Sequence, residues 1–308
     1  MLFLSDTWAD MVKQPEPAIW KPLGGAEKLQ AIEDYAERVV RHMAAGGLEM
    51  DTFAIGNEID FGICGVFEEQ WPHRVSIDYM RQNVWPRMVP MLKAAEAGVR
   101  KAQPRARFIV HLAQWTNPDY CIAFWRAQQE AGVQIDYPGL SYYPSSSDKP
   151  AELRFAYLRG AVARIRAALG KPVLICECAY PAAAAFGGQF STWNHAAEGY
   201  ALSPAGQARW IADFVALVRR DADFAGACYW SPEWYGGGLW DAFGLFDGQG
   251  AARPGVQAFQ APAAAPPGAP GTRCPDGPAE ALSASAAQLG LRRVTLRRDS
   301  TTGDCVWN

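Results

Sequence analysis

The chain has 308 residues, 49% of them hydrophobic, which is enough for one large core at a length that α/β barrels reach as single domains. A formal net charge of -3 without runs of like charge excludes an electrostatic nucleic-acid or membrane-surface partner and points to a neutral one. Seven scattered cysteines, most of them in apolar segments, exclude a disulfide scaffold and suit free buried thiols.

In chain order, the first apolar run is Leu2 to Leu4, which gives way to Ser5-Asp6 too early for a signal peptide. Further strands are predicted at Thr52 to Gly56, Phe108 to Leu112, Gly139 to Tyr143, Val173 to Cys176 and Gly226 to Tyr229, six in all. Between them, helical patterns run over Ala26 to Ala45, Ser76 to Lys101, Pro118 to Glu130, Ala151 to Leu169 and Pro204 to Arg220. Asn117-Pro118 and Ser203-Pro204 read as N-caps with Pro at the first helical position, and Gly46-Gly47, Gly132 and Gly170 as helix stops. Such alternation predicts a parallel sheet with crossover helices. No stretch reaches transmembrane length. From Ala261 the composition turns to Ala, Pro and Gly, so residues 1–260 are expected to form one domain. Residues 261–308 are a linker and tail, either a small hairpin stapled by Cys274 and Cys305 or a segment without fixed fold.

Two of the predicted strands end in lone acids. Phe53-Ala54-Ile55-Gly56 runs into Asn57-Glu58, and Pro172-Val173-Leu174-Ile175-Cys176 runs into Glu177. One strand-end Glu is most simply a salt-bridge partner or a helix cap. Two of them suit a glycosidase, because barrel chemistry sits at the carboxyl ends of strands. In a retaining enzyme one carboxyl protonates the leaving oxygen while a second, about 5 to 5.5 Å away, attacks the anomeric carbon. Strand alternation turns Glu58 to the side of Gly56 and turns Glu177 opposite to Cys176 and Cys178. Tyr143 is placed to hydrogen-bond the nucleophile, Asn57 to hold a sugar hydroxyl, and His111 to line the cleft. Twelve Trp, eleven Tyr and fourteen Phe, many in loop-like segments, supply rings for a sugar face as well as for the core.

Ser5-Asp6-Thr7-Trp8-Ala9-Asp10, Lys13-Gln14, Pro17 and Trp20, followed by Ile55-Gly56-Asn57-Glu58-Ile59, Ser141-Tyr142-Tyr143-Pro144 and Glu177-Cys178-Ala179-Tyr180-Pro181, together resemble glycoside hydrolase family 53, the arabinogalactan endo-β-1,4-galactanases. The resemblance covers residues 1 to 260. It implies a (β/α)8 TIM barrel of the retaining-glycosidase clan, with Glu58 as acid/base after barrel strand four and Glu177 as nucleophile after strand seven. It also implies that Asp6 and Trp8 line the donor side of the cleft, that Ser141 contacts substrate, and that Trp230 floors the subsite of the reacting sugar. Galactose suits a Trp floor, since its axial 4-hydroxyl leaves one apolar face free. The implied partner is β-1,4-galactan, met outside the cell or in the periplasm by a monomer without cofactor or metal, and neither nucleic acid nor membrane is a partner.

This chain also departs from the family. Phe3 stands where a His is usual before the first motif, and Cys176 and Cys178 replace flanking Thr, both expected to face outward toward helices. The first predicted strand corresponds to the family's third, so two β/α units are missing, the chain is expected to be truncated or wrongly started, and the barrel is expected not to close. Gly236-Gly237-Gly238 lacks the Lys-Ser/Thr of a phosphate loop and reads as a flexible substrate loop. The alternatives are another retaining glycanase acting on mannan, glucan or xylan, and an inactive carbohydrate-binding remnant.

Overall fold

The computed structural model describes residues 1–7, 12–48, 50–259, 296–298 and 305–307. Trp8, the linker beginning at Ala261, and Cys274 lie outside the described residues. The chain divides into two units, residues 1–261 and 262–308. In the second, β8 (Leu296–Arg298) pairs antiparallel with β9 (Cys305–Trp307).

The first unit begins with α1 (Gly25–Ala45), whose buried residues Ile32, Ala36 and Val40 recur every four positions and give it one apolar stripe. Glu27 accepts a hydrogen bond from the Gly24 N–H at 3.0 Å, tying off the helix start. There follow β1 (Thr52–Ala54), the small hairpin β2 (Gly62–Ile63) and β3 (Val66–Phe67), and the helices α2 (Trp71–Arg74), α3 (Ile77–Asn83) and α4 (Trp85–Ala102). Next come β4 (Arg107–Leu112), α5 (Pro118–Glu130), β5 (Tyr137–Tyr142), α6 (Phe155–Leu169), β6 (Val173–Cys178), α7 (Pro204–Arg220), β7 (Phe224–Tyr229) and α8 (Gly255–Ala258). Asn117 and Ser203 cap α5 and α7 by accepting from Tyr120 N at 3.2 Å and Gly206 N at 3.1 Å.

A five-stranded sheet has the order β1-β4-β5-β6-β7, and every pairing in it is parallel. The arrangement is a partial (β/α)8 barrel. Of the expected first strand, one parallel bridge from Leu2 to Ile55 is present, made by Leu2 N donating to Ala54 O at 2.7 Å and Gly56 N donating to Leu2 O at 2.8 Å. The single helix expected over Ser76 to Lys101 is broken at Val84 (φ -115°, ψ -57°), where Pro86 starts a new helix.

The sheet has two unlike faces. Phe53, Phe108, Val110, Leu112, Leu140, Tyr142, Val173 and Ile175 belong to the apolar core shared with the helices. The other face carries His111, Gly139, Ser141 and Cys176 beside the apolar Ile109 and Leu174. A Cβ at Gly139 would meet Cys176 Sγ at 2.6 Å and Ile109 Cγ2 at 2.8 Å, so only glycine lets the neighbouring strands close there.

Candidate active site

Glu58 and Glu177 reach a common cleft by different local devices. Regular pairing of β1 stops at Ala54, and the backbone then turns through left-handed conformations at Gly56 (φ 74°) and Glu58 (φ 45°). A Cβ at Gly56 would meet Ile59 Cγ2 at 2.5 Å and Ile63 Cδ1 at 2.8 Å, so the turn requires glycine on steric grounds as well as on φ. A left-handed glutamate is uncommon and costs on the order of 1 kcal/mol. Strand alternation therefore does not decide where Glu58 points; the turn does.

Glu177 is aimed by a β-bulge. Leu140 pairs with Ile175 but Ser141 pairs with Glu177, so the ladder skips Cys176. The Cys176 thiol lies against Gly139, on the face of Ile109 and His111, whereas Cys178 belongs to the core shared with the helices. The expectation that both cysteines face outward is thus corrected for Cys176. The surplus residue breaks the alternation on which that expectation rested.

The cleft has a volume of about 540 Å³, and Glu58, Ser141, Tyr143 and Glu177 all line it. The two acids are only 9% and 8% exposed, so their interactions act in a largely dry setting where charge counts for more than in water. The Tyr143 hydroxyl donates to Glu177 Oε2 at 2.7 Å. Burial, then the Glu177 charge and this hydrogen bond, push the phenol well above its usual range, so it remains a donor.

Behind Glu58 lies a fully buried polar chain. Ser141 Oγ is 2.5 Å from Glu58 Oε1, His111 Nε2 is 2.8 Å from Ser141 Oγ, and His111 Nδ1 is 2.9 Å from Asn57 Oδ1. Burial lowers His111 to about 3, so the ring is neutral. The backbone on both sides is anchored as well: Gln14 Nε2 donates to Asn57 O at 2.6 Å, and the Asp60 carboxylate accepts from the N–H groups of Ala113 and Gln114. Burial raises Asp60 to about 6.

Tyr143, Ser141 and Trp230 thus share the cleft with the two acids. His111 does not line it, since the ring is 0% exposed and both nitrogens face protein groups. Asn57 is 3% exposed with its side chain turned to His111. Asp6 is exposed, accepts from Ala18 N at 2.6 Å and is not among the described residues that line the cleft.

Sequence reasoning missed most of the wall. Trp115, Phe190, Trp193, Trp234 and Trp240 also line the cleft, and Trp240 stands edge-on to both Trp230 (4.6 Å) and Tyr143 (5.7 Å). Their signal was the abundance of aromatics in loops after strand ends, but that signal does not say which rings converge. The glycine loop expected to be a flexible substrate segment runs into Leu239, which lines the cleft, and its Gly237 N and Gly238 N donate to the Asp241 carboxylate at 3.1 and 3.0 Å.

Two acids at the carboxyl end of a parallel barrel sheet, in an aromatic cleft, can protonate a leaving oxygen and attack a sugar carbon. The model of glycosyl hydrolase family 53 matches residues 2–259. The chain belongs to glycosyl hydrolase family 53. Among its relatives, an arabinogalactan endo-β-1,4-galactanase of Cellvibrio japonicus is 28% identical over 75% of this chain and 59% of its own length. One from Humicola insolens is 27% identical over 75% of this chain and 66% of its own. The chain therefore spans about three fifths of the length of such relatives. The family 53 catalytic domain of Ignisphaera aggregans superposes with a TM-score of 0.68 at 27% identity, covering 83% of this chain and 71% of that one.

Proposed function

We propose that this family 53 chain is a retaining endo-β-1,4-galactanase. The observation that carries the reading is the meeting of Glu58 and Glu177 in one aromatic-walled cleft, and galactanases among its relatives support the choice of sugar. Glu58 protonates the glycosidic oxygen while Glu177 attacks the anomeric carbon, giving a covalent galactosyl-enzyme; Glu58 then takes a proton from water, which releases the sugar with its configuration retained. Tyr143 orients the nucleophile through its 2.7 Å hydrogen bond. Trp230 supplies a face for the reacting galactose and the neighbouring rings receive further units of the chain. The substrate is β-1,4-galactan or arabinogalactan, met outside the cell or in the periplasm, and the enzyme works as a monomer without cofactor. Among the described residues, no helix is long and apolar enough to cross a membrane.

The test is release of reducing ends from β-1,4-galactan, compared with mannan, glucan and xylan, by the chain and by Glu177→Ala. Galactan cleavage that vanishes in the variant is the expected outcome. Ordinary activity of Glu177→Ala overturns the assignment of the nucleophile, and preference for another glycan overturns the sugar. Saturable galactan binding without cleavage would make the chain a carbohydrate-binding protein.

A further inference from the structure

The hydrogen-bonded row behind Glu58 has a countable number of protons. Asn57 presents Oδ1 to His111 Nδ1, and an amide oxygen only accepts, so Nδ1 carries the hydrogen of the neutral ring. His111 Nε2 is then an acceptor, and the group facing it at 2.8 Å is the Ser141 hydroxyl. Ser141 has one proton. When it goes to His111, the 2.5 Å contact between Ser141 Oγ and Glu58 Oε1 is a hydrogen bond only if Glu58 supplies the proton. With Glu58 protonated, the three contacts from Asn57 to Glu58 hold three hydrogens; with Glu58 ionised, the Ser141 hydroxyl must turn to the carboxylate and leave a buried His111 nitrogen unserved.

We propose that His111, acting through the Ser141 hydroxyl, is a positioning residue that holds the catalytic proton on Glu58 until the glycosidic oxygen takes it. The proposal rests on the reading of Glu58 as the acid/base. In the first step the Glu58 proton bonds to the glycosidic oxygen as the bond from that oxygen to the anomeric carbon breaks. The Ser141 hydroxyl keeps its own proton and turns from His111 to the new carboxylate. When water gives Glu58 a proton and its hydroxide attacks the anomeric carbon, the bond from that carbon to Glu177 breaks and Glu177 leaves as a carboxylate; the hydroxyl turns back, and no proton is gained or lost by Ser141 or His111. Among the described residues, the Glu58 charge acts on Tyr143 after β5 and on Cys176 of β6, and Glu177 lines the same cleft. Tyr143 and Cys176 are both pushed well above their usual values, chiefly by burial, and stay neutral.

The experiment is the pH profile of kcat/KM on β-1,4-galactan for the wild-type chain, His111→Phe, Ser141→Ala and the double variant. Phe cannot accept the serine proton, so His111→Phe frees the hydroxyl for the carboxylate. Its alkaline limb is expected to move to lower pH by about half a unit or more. Because His111 acts through Ser141, the same change in the Ser141→Ala background should leave the limb where Ser141→Ala alone puts it. An unmoved limb in His111→Phe, or an equal shift in both backgrounds, overturns the proposal. Should His111→Phe fail to fold, ring ¹⁵N spectra of the wild-type chain decide instead: the neutral Nδ1–H tautomer is expected, and an Nε2–H ring or an imidazolium at neutral pH overturns it. Glu58→Ala separates the underlying reading. A true acid/base variant still cleaves an aryl β-galactoside whose leaving group needs no proton and is rescued by azide, and failure of both overturns the role of Glu58 whatever His111 does.

Discussion

The two faces of the parallel sheet come from the same strands and obey different rules. Toward the helices stand Phe108, Val110, Leu140, Ile175 and other core residues, where stability follows from buried apolar area and close packing. Toward the inside stand His111, Gly139, Ser141 and Cys176, side chains too small or too polar to make a core. There the ordering comes from hydrogen-bond count and local backbone turns. One face holds the chain together and the other holds protons and carboxylates in place. A substitution should therefore affect either folding or turnover according to its side.

The largest expected effect is on the inner face. Glu177→Gln keeps the shape of the side chain but removes the proposed nucleophile, so the proposed galactan cleavage should fall by on the order of 10³-fold or more while the thermal unfolding midpoint barely moves. Paired reducing-end assays and melting curves would show whether the two quantities separate. On the outer face Phe108→Ala should do the opposite. Deleting this 0% exposed ring costs about 3 to 5 kcal/mol of stability, read by urea unfolding, with turnover per folded molecule retained.

Asp60 sharpens the comparison, being a buried charge that anchors the segment carrying Trp115 into the cleft. Burial raises it from 3.8 to about 6, so the folded chain binds this proton more tightly than the unfolded chain. The stability linked to it is fully present below about pH 4 and is lost as the pH rises through about 6. The change amounts to on the order of 3 kcal/mol. Glu96, raised by burial to about 7, adds a decline of the same sign, so urea midpoints from pH 4 to 7 should fall in the wild type and fall less steeply in Asp60→Asn. The smallest effect belongs to the surface pair Lys13 and Glu69, with side chains 57% and 65% exposed. Glu69→Ala should change stability by less than about 1 kcal/mol in the same titration.

How much of this was legible in the sequence depends on the range of the interactions involved. The starts of α5 and α7 are local events written in Asn117-Pro118 and Ser203-Pro204, and both are readable. The break before α4 was also local, signalled by Pro86, but the apolar periodicity on either side of it reads as one helix. Glu58 and Glu177 announce themselves as acids ending apolar runs, whereas the orientation of each depends on features that hydrophobic patterning cannot register. One is a left-handed φ of 45° at Glu58 and the other a register slip beside Ser141. His111 looked like a cleft residue because it sits near a strand end. Its burial follows from partners 54 and 30 residues away in sequence, a pairing that only the assembled sheet determines.

The register slip gives Cys176 an unusual freedom. No residue of β5 stands opposite it, so replacing its side chain by another small one disturbs little beyond the contact over Gly139. Its presence as a link in the chain matters more, because it makes Leu174 and Glu177 share a face although they are an odd number of residues apart. Along β6, therefore, the numbering of the backbone carries information that the chemistry of Cys176 does not. Drift in the identity of that residue should be silent, while a one-residue insertion beside it would aim the Glu177 carboxylate at the helices.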